Sequence, residues 1–405
     1  MKDDSKDRRG GPLSRVRVLD LGTMVAAPVA ATLFADFGAD VIKVEQPGTG
    51  DTLRGVGPFY EEECLWWQVE GRNKKSVTID LRQPEGQALL KKLVEKADVV
   101  MENFRPGTLE KWGVGYSELS AVNPALVMLS ISGFGQTGPN AQRGGYDRIA
   151  LAFSGVMAMT GYPDRAPVRI GTSMADYSTA TMGAFAVMMA LYHRDLNGGI
   201  GQQIDLALYE PVFRFTDSMV PAYDKLGRKR ERTGNVHSAA APGSNFETKD
   251  GRFMTLTISG DSLFRKLCQA MERPDMADDS RYATHVKRWE HITDLNEVVA
   301  HWIRETEFAL LSDTLTNYGI PFSLALTIEE IMEDPHFEAR GNIETVQHPE
   351  LGPIKMPGIV PKMLGTPAEP IQPAPSIGQD NEEIFTGLLG IDAEEYRFLR
   401  RRKVI

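Results

Sequence analysis

The first third of the chain predicts an α/β fold built on a doubly wound parallel sheet, and three observations carry that expectation. Strand-like and helix-like segments alternate over residues 15–130, the layer pattern of α/β proteins. The hydrophobic period changes with them, from short β-branched runs to i, i+3, i+4 spacing. The opening stretch VLDLGTMVAAPVAATLFADFGADVIKVE, residues 18–45, also runs strand, turn, Ala-rich helix, strand, the order of a nucleotide-binding unit.

Each element has its own reason. Residues 16–21 are β-branched and apolar enough for a strand, Gly38 stops the helix that follows, and residues 41–45 form a second strand ending on Glu45. The turn between strand and helix is Gly22-Thr23-Met24-Val25-Ala26-Ala27-Pro28, with one glycine. A dinucleotide fold requires G-x-G-x-x-G there, so that backbone can approach a pyrophosphate. SVTIDL (76–81) reads as a strand, and residues 83–97 read as a helix with Ala88, Leu89, Leu90, Leu93 and Val94 on one face. DVVMENF is a further strand, and ALVMLSISGFG is another that enters a Gly-rich loop. TATMGAFAVMMALYHR (179–194) has helical spacing, and GQQIDLALYE (201–210) returns to strand character. RFMTLTIS predicts a strand, 261–318 several short charged helices, and 356–379 a Pro-rich strap lying on a surface. The expected division is a disordered tail (1–14), a large domain (15–210), a linker (211–232), a small domain (233–333) and a returning strap with two terminal helices (334–405).

The bulk properties exclude several classes. The 405 residues suffice for two domains, and 42% hydrophobic with 25% charged residues is ordinary for a globular chain. A net charge of −10 argues against a general nucleic-acid or bilayer binder. Cys64 and Cys268 cannot make a disulfide framework or a zinc site, which fits a reducing cytoplasm. The charged start lacks a secretory h-region, and no apolar run has the length of a membrane helix. His285, His291 and His301 match no ligand spacing, so no metal is expected.

Two motifs lie close together. Gly171-Thr172-Ser173-Met174-Ala175 falls one residue short of the G-x-S-x-G nucleophile elbow. Asp176 follows at once, ahead of the long apolar helix. Taken alone it reads as a helix-start aspartate favoured by the dipole; the functional alternative is a carboxylate nucleophile that splits a hard transfer into two steps.

Several segments in order decide between these. They include VLDLGTMVAAPVAATLFADFGADVIKVEQPGTGDTLR, GRNKKSVTIDLRQPEG, ADVVMENFRPGTLEKWGVGY, GGYDRIALAFSG and IGTSMADYSTATMGAFAVMMALYHRDLNGGIGQQIDLALYE, with EDPHFEARG and PSIGQDNEEI later. Together they resemble the class III coenzyme A transferases, the group of formyl-CoA:oxalate and carnitine CoA-transferases (CaiB/BaiF-like).

The resemblance implies a modified Rossmann-like large domain with a second, smaller α/β domain, in an interlocked homodimer. It implies Asp176 as the nucleophile, with Tyr146 and Asp147 as supporting residues. CoA contacts carry over to Met24, Val25 and Ala26, to Ile79, Leu81 and Arg82, and to Asn103, Phe104, Arg105 and Lys111. Arg54 and Arg169 are candidates for pairing with a distal carboxylate of the acyl group. Backbone N–H groups at the helix start are candidate oxyanion donors. CoA and acyl-CoA would enter as substrates, with a carboxylic acid acceptor and no permanently bound cofactor. Small dicarboxylic acids are the expected acids. The alternative is a CoA-thioester isomerase or racemase using carboxylate acid–base chemistry. The related α-methylacyl-CoA racemases carry histidine where this chain has Tyr146, which favours the transferases.

Overall fold

A computed structural model describes residues 10–237 and 239–405. Six strands form one sheet: β1 (Arg17–Asp20), β2 (Asp40–Glu45), β3 (Lys75–Thr78), β4 (Val99–Glu102), β5 (Val127–Ser132) and β6 (Gln203–Ala207). All five pairings are parallel, and the spatial order is β3-β2-β1-β4-β5-β6. This is the 3-2-1-4-5-6 order of doubly wound nucleotide-binding sheets, with its switch point between β1 and β4. The central strands β4 and β5 are buried on both faces and read as largely apolar runs, whereas the edge strand β6 is partly exposed.

One face is covered by α1 (Ala26–Asp36) and by the long helix Met174–Leu196. Helix α1 is buried on nearly all sides, because its alanines let both the sheet and the long helix approach closely. Gly183 serves the same approach, since a Cβ there would stand 2.8 Å from Leu129 Cδ2. The other face is covered by Pro84–Val94 and the C-terminal segments, with Phe385, Leu399 and Val404 in that core.

The chain divides into two compact units. The first comprises the residues up to Met157, Arg169–Gly227 and Glu338–Ile405; the second is Ala158–Val168 and Arg228–Phe337. This differs from the expected linker at 211–232. Residues 211–227 carry helices Tyr209–Arg214 and Met219–Leu226, and Val212 is buried in the core of the first unit. Residues 158–168 join the second unit, where Arg232 donates to the carbonyls of Ala158 and Tyr162. The tail expected over 1–14 also differs at its end: Leu13 N–H donates to Phe37 O at 3.0 Å, while residues 1–9 lie outside the described residues.

The second unit holds a three-stranded antiparallel sheet, Gly243–Glu247, Phe253–Thr257 and Phe322–Leu324, with short helices over it. Its core encloses Arg288, whose guanidinium donates to Ala241 O, Tyr282 O and Asp261 Oδ1. In the first unit the Pro-rich strap is fastened by side chains. Gln372 N–H donates to Asn73 Oδ1, and Pro375 O accepts from Trp67 Nε1 and Arg54. Among the described residues no helix is long and apolar enough to cross a membrane.

Candidate active site

The loop after β1 lacks two of the fingerprint glycines and is held by side chains instead. Met24 takes a left-handed conformation (φ 65°), which a non-glycine residue adopts only when its surroundings impose it. Asp51 Oδ1 accepts the Met24 N–H at 2.9 Å. Asn103, just beyond β4, clamps Thr23 by accepting its N–H and donating to its carbonyl, both at 2.8 Å. Gly22 is needed for close approach, as a Cβ there would stand 2.7 Å from Ala27 Cβ.

Beneath this loop lies a fully buried ion cluster. Lys43 Nζ stands 2.9 Å from Asp51 Oδ2 and 3.4 Å from Asp20 Oδ1, and it also donates to Gly22 O. Lys74 Nζ donates to Asp20 Oδ2 and to Pro28 O. Burial by itself would lower the Lys43 ammonium, but the flanking Asp20 and Asp51 carboxylates outweigh it and hold the group charged. Lys43→Met strands the buried Asp51 carboxylate beside the loop and leaves Asp20 with Lys74 alone. A loss of about 3–5 kcal/mol in stability is expected, read as a lowered urea midpoint with unchanged m.

Glu45 cannot act as the ribose-binding carboxylate of a dinucleotide fold. Its oxygens accept from Arg54 Nε and Nη2, both at 2.8 Å, from Asp51 N–H and from Ser76 Oγ. Arg54 is committed by the same contact and stacks over Trp67 at 3.8 Å. That corrects the expectation of Arg54 as an acyl-carboxylate contact. Arg169 is exposed and donates to Ile170 O, lining neither of the cavities described next.

Two cavities meet at the switch point. The smaller, about 100 Å³, includes Ile79, Leu81, Arg82, Phe104 and Trp112 in its walls. Arg82 is aimed there by Asp80, which it grips through Nε and Nη2; that pairing draws the Asp80 carboxyl down to about 2. The larger cavity, about 290 Å³, is lined by Met24, Val25, Ala26, Asn103, Phe104, Arg105, Tyr146 and Asp176 among others. Thr23 and Phe104 belong to both. Of the expected contacts, Lys111 alone among those assigned to CoA stays outside, exposed at the end of helix Thr108–Lys111. Trp112, which the sequence reading passed over, takes a place in the wall, edge-on to Phe104 at 5.5 Å.

Asp176 sits in the first turn of the Met174–Leu196 helix, half-buried, and its carboxylate has no hydrogen-bond partner among the described residues. Burial, and then the nearby Asp147 charge, push it up to about 7. Asp147 opens the helix Asp147–Phe153 and accepts the Ala175 N–H at 2.8 Å, tying the turn that carries Asp176. On the other side Tyr177 O–H donates to the buried Glu70 at 2.7 Å, and Trp66 Nε1–H donates to Tyr177 Oη at 3.1 Å. Most amides of the helix start are already used: Met174, Ala175 and Tyr177 bond to Thr172 O, Asp147 Oδ1 and Ser173 O. Of residues 174–177, that leaves the Asp176 N–H as the candidate oxyanion donor among the described residues. Ser173 precedes the helix without a strand before it, so no nucleophile elbow exists here.

The far wall depends on glycine. A Cβ on Gly133 would stand 2.7 Å from Gly145 Cα, so two loops touch backbone to backbone beside Tyr146. Gly133→Ala is expected to displace that wall and lower kcat/KM about tenfold, with a far smaller effect on thermal melting.

Such a sheet, with a side-chain-held loop at its switch point, has the architecture of doubly wound α/β proteins without the dinucleotide fingerprint. Residues 13–381 match the model of CoA-transferase family III. The chain is 46% identical over 402 residues to the succinyl-CoA–D-citramalate CoA-transferase of Chloroflexus aurantiacus, covering 99% of this chain and 100% of that one. It is 42% identical to the beta subunit of succinyl-CoA–L-malate CoA-transferase from the same organism, over 97% of this chain and 98% of the relative. A crystal structure of a CAIB/BAIF family protein from Brucella suis matches with a TM-score of 0.83 at 32% identity, covering 94% of this chain and 100% of that one. The chain belongs to CoA-transferase family III. It is a CoA-transferase.

Proposed function

We propose that this enzyme moves CoA between small dicarboxylic acids through covalent intermediates on Asp176. The observation that carries the reading is the unpartnered Asp176 carboxylate in the wall of the cavity that also holds Met24–Ala26 and Asn103–Arg105. The named activities of the Chloroflexus relatives, on citramalate and malate with succinyl-CoA, support the substrate class.

The adenosine end of CoA is assigned to the cavity of Ile79, Leu81, Arg82 and Trp112, and the pantetheine arm passes Thr23 and Phe104. The thioester then reaches Asp176. An Asp176 oxygen attacks the thioester carbon, the C–S bond breaks, and an aspartyl-acyl anhydride and CoA thiolate result. The thiolate attacks the aspartyl carbonyl and expels the donor acid as its carboxylate, leaving an aspartyl-CoA thioester. An acceptor carboxylate attacks that thioester, forming a second mixed anhydride and freeing CoA thiolate. The thiolate takes the acceptor's acyl carbonyl, which releases the new acyl-CoA and the Asp176 carboxylate. Charge and atoms balance without a metal or a redox step. Asp147 is a positioning residue that holds the Ala175 N–H and tunes Asp176.

The reading includes an interlocked homodimer in the cytoplasm. Subunit pairing alone is supported by an apolar face on the long helix, where Phe185, Met189, Tyr192 and Leu196 are exposed. The test of function is exchange of labelled succinate into unlabelled succinyl-CoA by the purified enzyme. Ping-pong kinetics with exchange support the reading. Solvent deuterium entering the α-carbon of a bound thioester without exchange would transfer the chain to the isomerase alternative.

A further inference from the structure

We infer that Arg143 is the residue that selects dicarboxylic acyl groups, by pairing with the distal carboxylate of the acyl chain while its thioester faces Asp176. This inference rests on the function proposed above and deepens it. Arg143 lies in the wall of the same cavity as Asp176.

Three observations point to it. The first is availability. Arg17, Arg54, Arg72, Arg82 and Arg194 of this unit are spent on Asp40, Glu45, Asp36, Asp80 and Asp98, which leaves Arg105 and Arg143 as the arginines in the wall of this cavity. Arg143 has no carboxylate within ion-pair distance among the described residues, in a chain whose net charge is −10. The second is preorganisation. Arg143 Nη1 donates to Asn140 Oδ1 at 3.2 Å, and its guanidinium sits over the Phe134 ring at 4.9 Å. Phe134 is itself packed edge-on against Phe153 at 5.0 Å, and Arg143 N–H closes a turn onto Asn140 O at 2.8 Å. A guanidinium held in this way forfeits little rotamer freedom when it binds a planar carboxylate, and its remaining N–H groups stay open for a two-point contact. The third is the division of charge between the cavities. Arg82 stands in the smaller cavity, at the nucleotide end, and Arg105 lies in the Asn103–Arg105 segment assigned to CoA, which leaves Arg143 as the cation of the larger cavity for the acyl end.

Electrostatics require such a group. A dicarboxylic donor brings a second negative charge towards the carboxylate that must attack it, and the field of Asp176 with Asp147 opposes that approach. A guanidinium in the wall of the same cavity cancels the repulsion only for acyl groups that end in a carboxylate. Acyl groups that end in a methyl leave it unpaired, so discrimination follows from the same residue.

The test uses full-length protein carrying Asp176→Asn, so that thioesters bind without turnover, and compares succinyl-CoA with butyryl-CoA by calorimetry. Arg143→Met is expected to weaken succinyl-CoA by about 30-fold, the scale of one charge-assisted pair, and butyryl-CoA by less than about twofold. Arg143→Lys should recover part of the loss. Arg105→Met, in the same wall, should weaken both thioesters alike. Equal losses for the two thioesters on Arg143→Met, or none for either, would overturn the assignment. So would selectivity that tracks Arg105 instead. These are binding readouts, so failure of the transfer reaction itself would appear separately, as absent succinate exchange in the enzyme with Asp176 intact.

Discussion

Asp176→Asn is expected to lower kcat by more than about 10³-fold while leaving acyl-CoA binding within a few-fold. The covalent route requires an oxygen nucleophile at this position, and an amide cannot take its place. The same substitution should stabilise the fold, and the sign follows from linkage. The Asp176 carboxyl is raised from 3.8 to about 7 in the folded chain, so between those values the folded state binds more protons than the unfolded one. Stability from this group is present below about pH 4 and is lost as pH rises through about 7. Asparagine mimics the protonated form at every pH. The melting temperature of the Asp176→Asn protein should therefore match wild type near pH 4 and exceed it by about 1–3 °C at pH 8. Reduced activity in a protein that melts no lower rules out misfolding as the cause.

Asp147 should give the next largest effect, and two substitutions separate its two actions. Asp147→Ala removes the acceptor of the Ala175 N–H, loosening the turn that presents Asp176, and kcat should fall about 10²-fold. Asp147→Asn keeps an acceptor oxygen and removes only the charge. In the wild type, kcat/KM for acyl-CoA should fall on the acid side with a midpoint near 7, because the protonated Asp176 cannot attack. Burial is the larger cause of that elevation and Asp147 the smaller. In Asp147→Asn the midpoint should move to lower pH yet stay above the ordinary carboxylate range. The variant then keeps more of its own maximal activity at pH 6 than wild type does. A midpoint that stays in place would show that Asp147 acts by geometry alone.

Much of this arrangement was legible in the sequence because it is local. The alternation of β-branched runs with amphipathic helices yields the parallel sheet, and the loops after β1 and β4 carry the residues that line the larger cavity. Asp176 was legible through its neighbours, as the small residues before it and the apolar run after it mark a helix start. What stayed hidden depends on partners distant in the chain. Arg54 reads as a free cation until Glu45, Trp67 and Pro375 O are found around it. The Lys43 cluster draws on four separate segments, though a lysine inside the apolar run VIKVE was a visible sign of a buried ion pair. Lys111 and Trp112 show the limit from the other side, since adjacent residues on a short helix end face opposite ways and only one reaches the cavity. Arg143 carried no motif; its meaning comes from the ring beneath it and the absence of an acid beside it among the described residues.

The covalent role of Asp176 is tested by peptide mass mapping after incubation with succinyl-CoA and chemical trapping. Hydroxylamine converts an activated aspartyl group to its hydroxamate, and borohydride reduces an aspartyl-CoA thioester to homoserine. Both modifications are expected on the peptide containing Asp176, dependent on succinyl-CoA. Efficient exchange of succinate with no trapped species at Asp176 under either reagent would contradict that role.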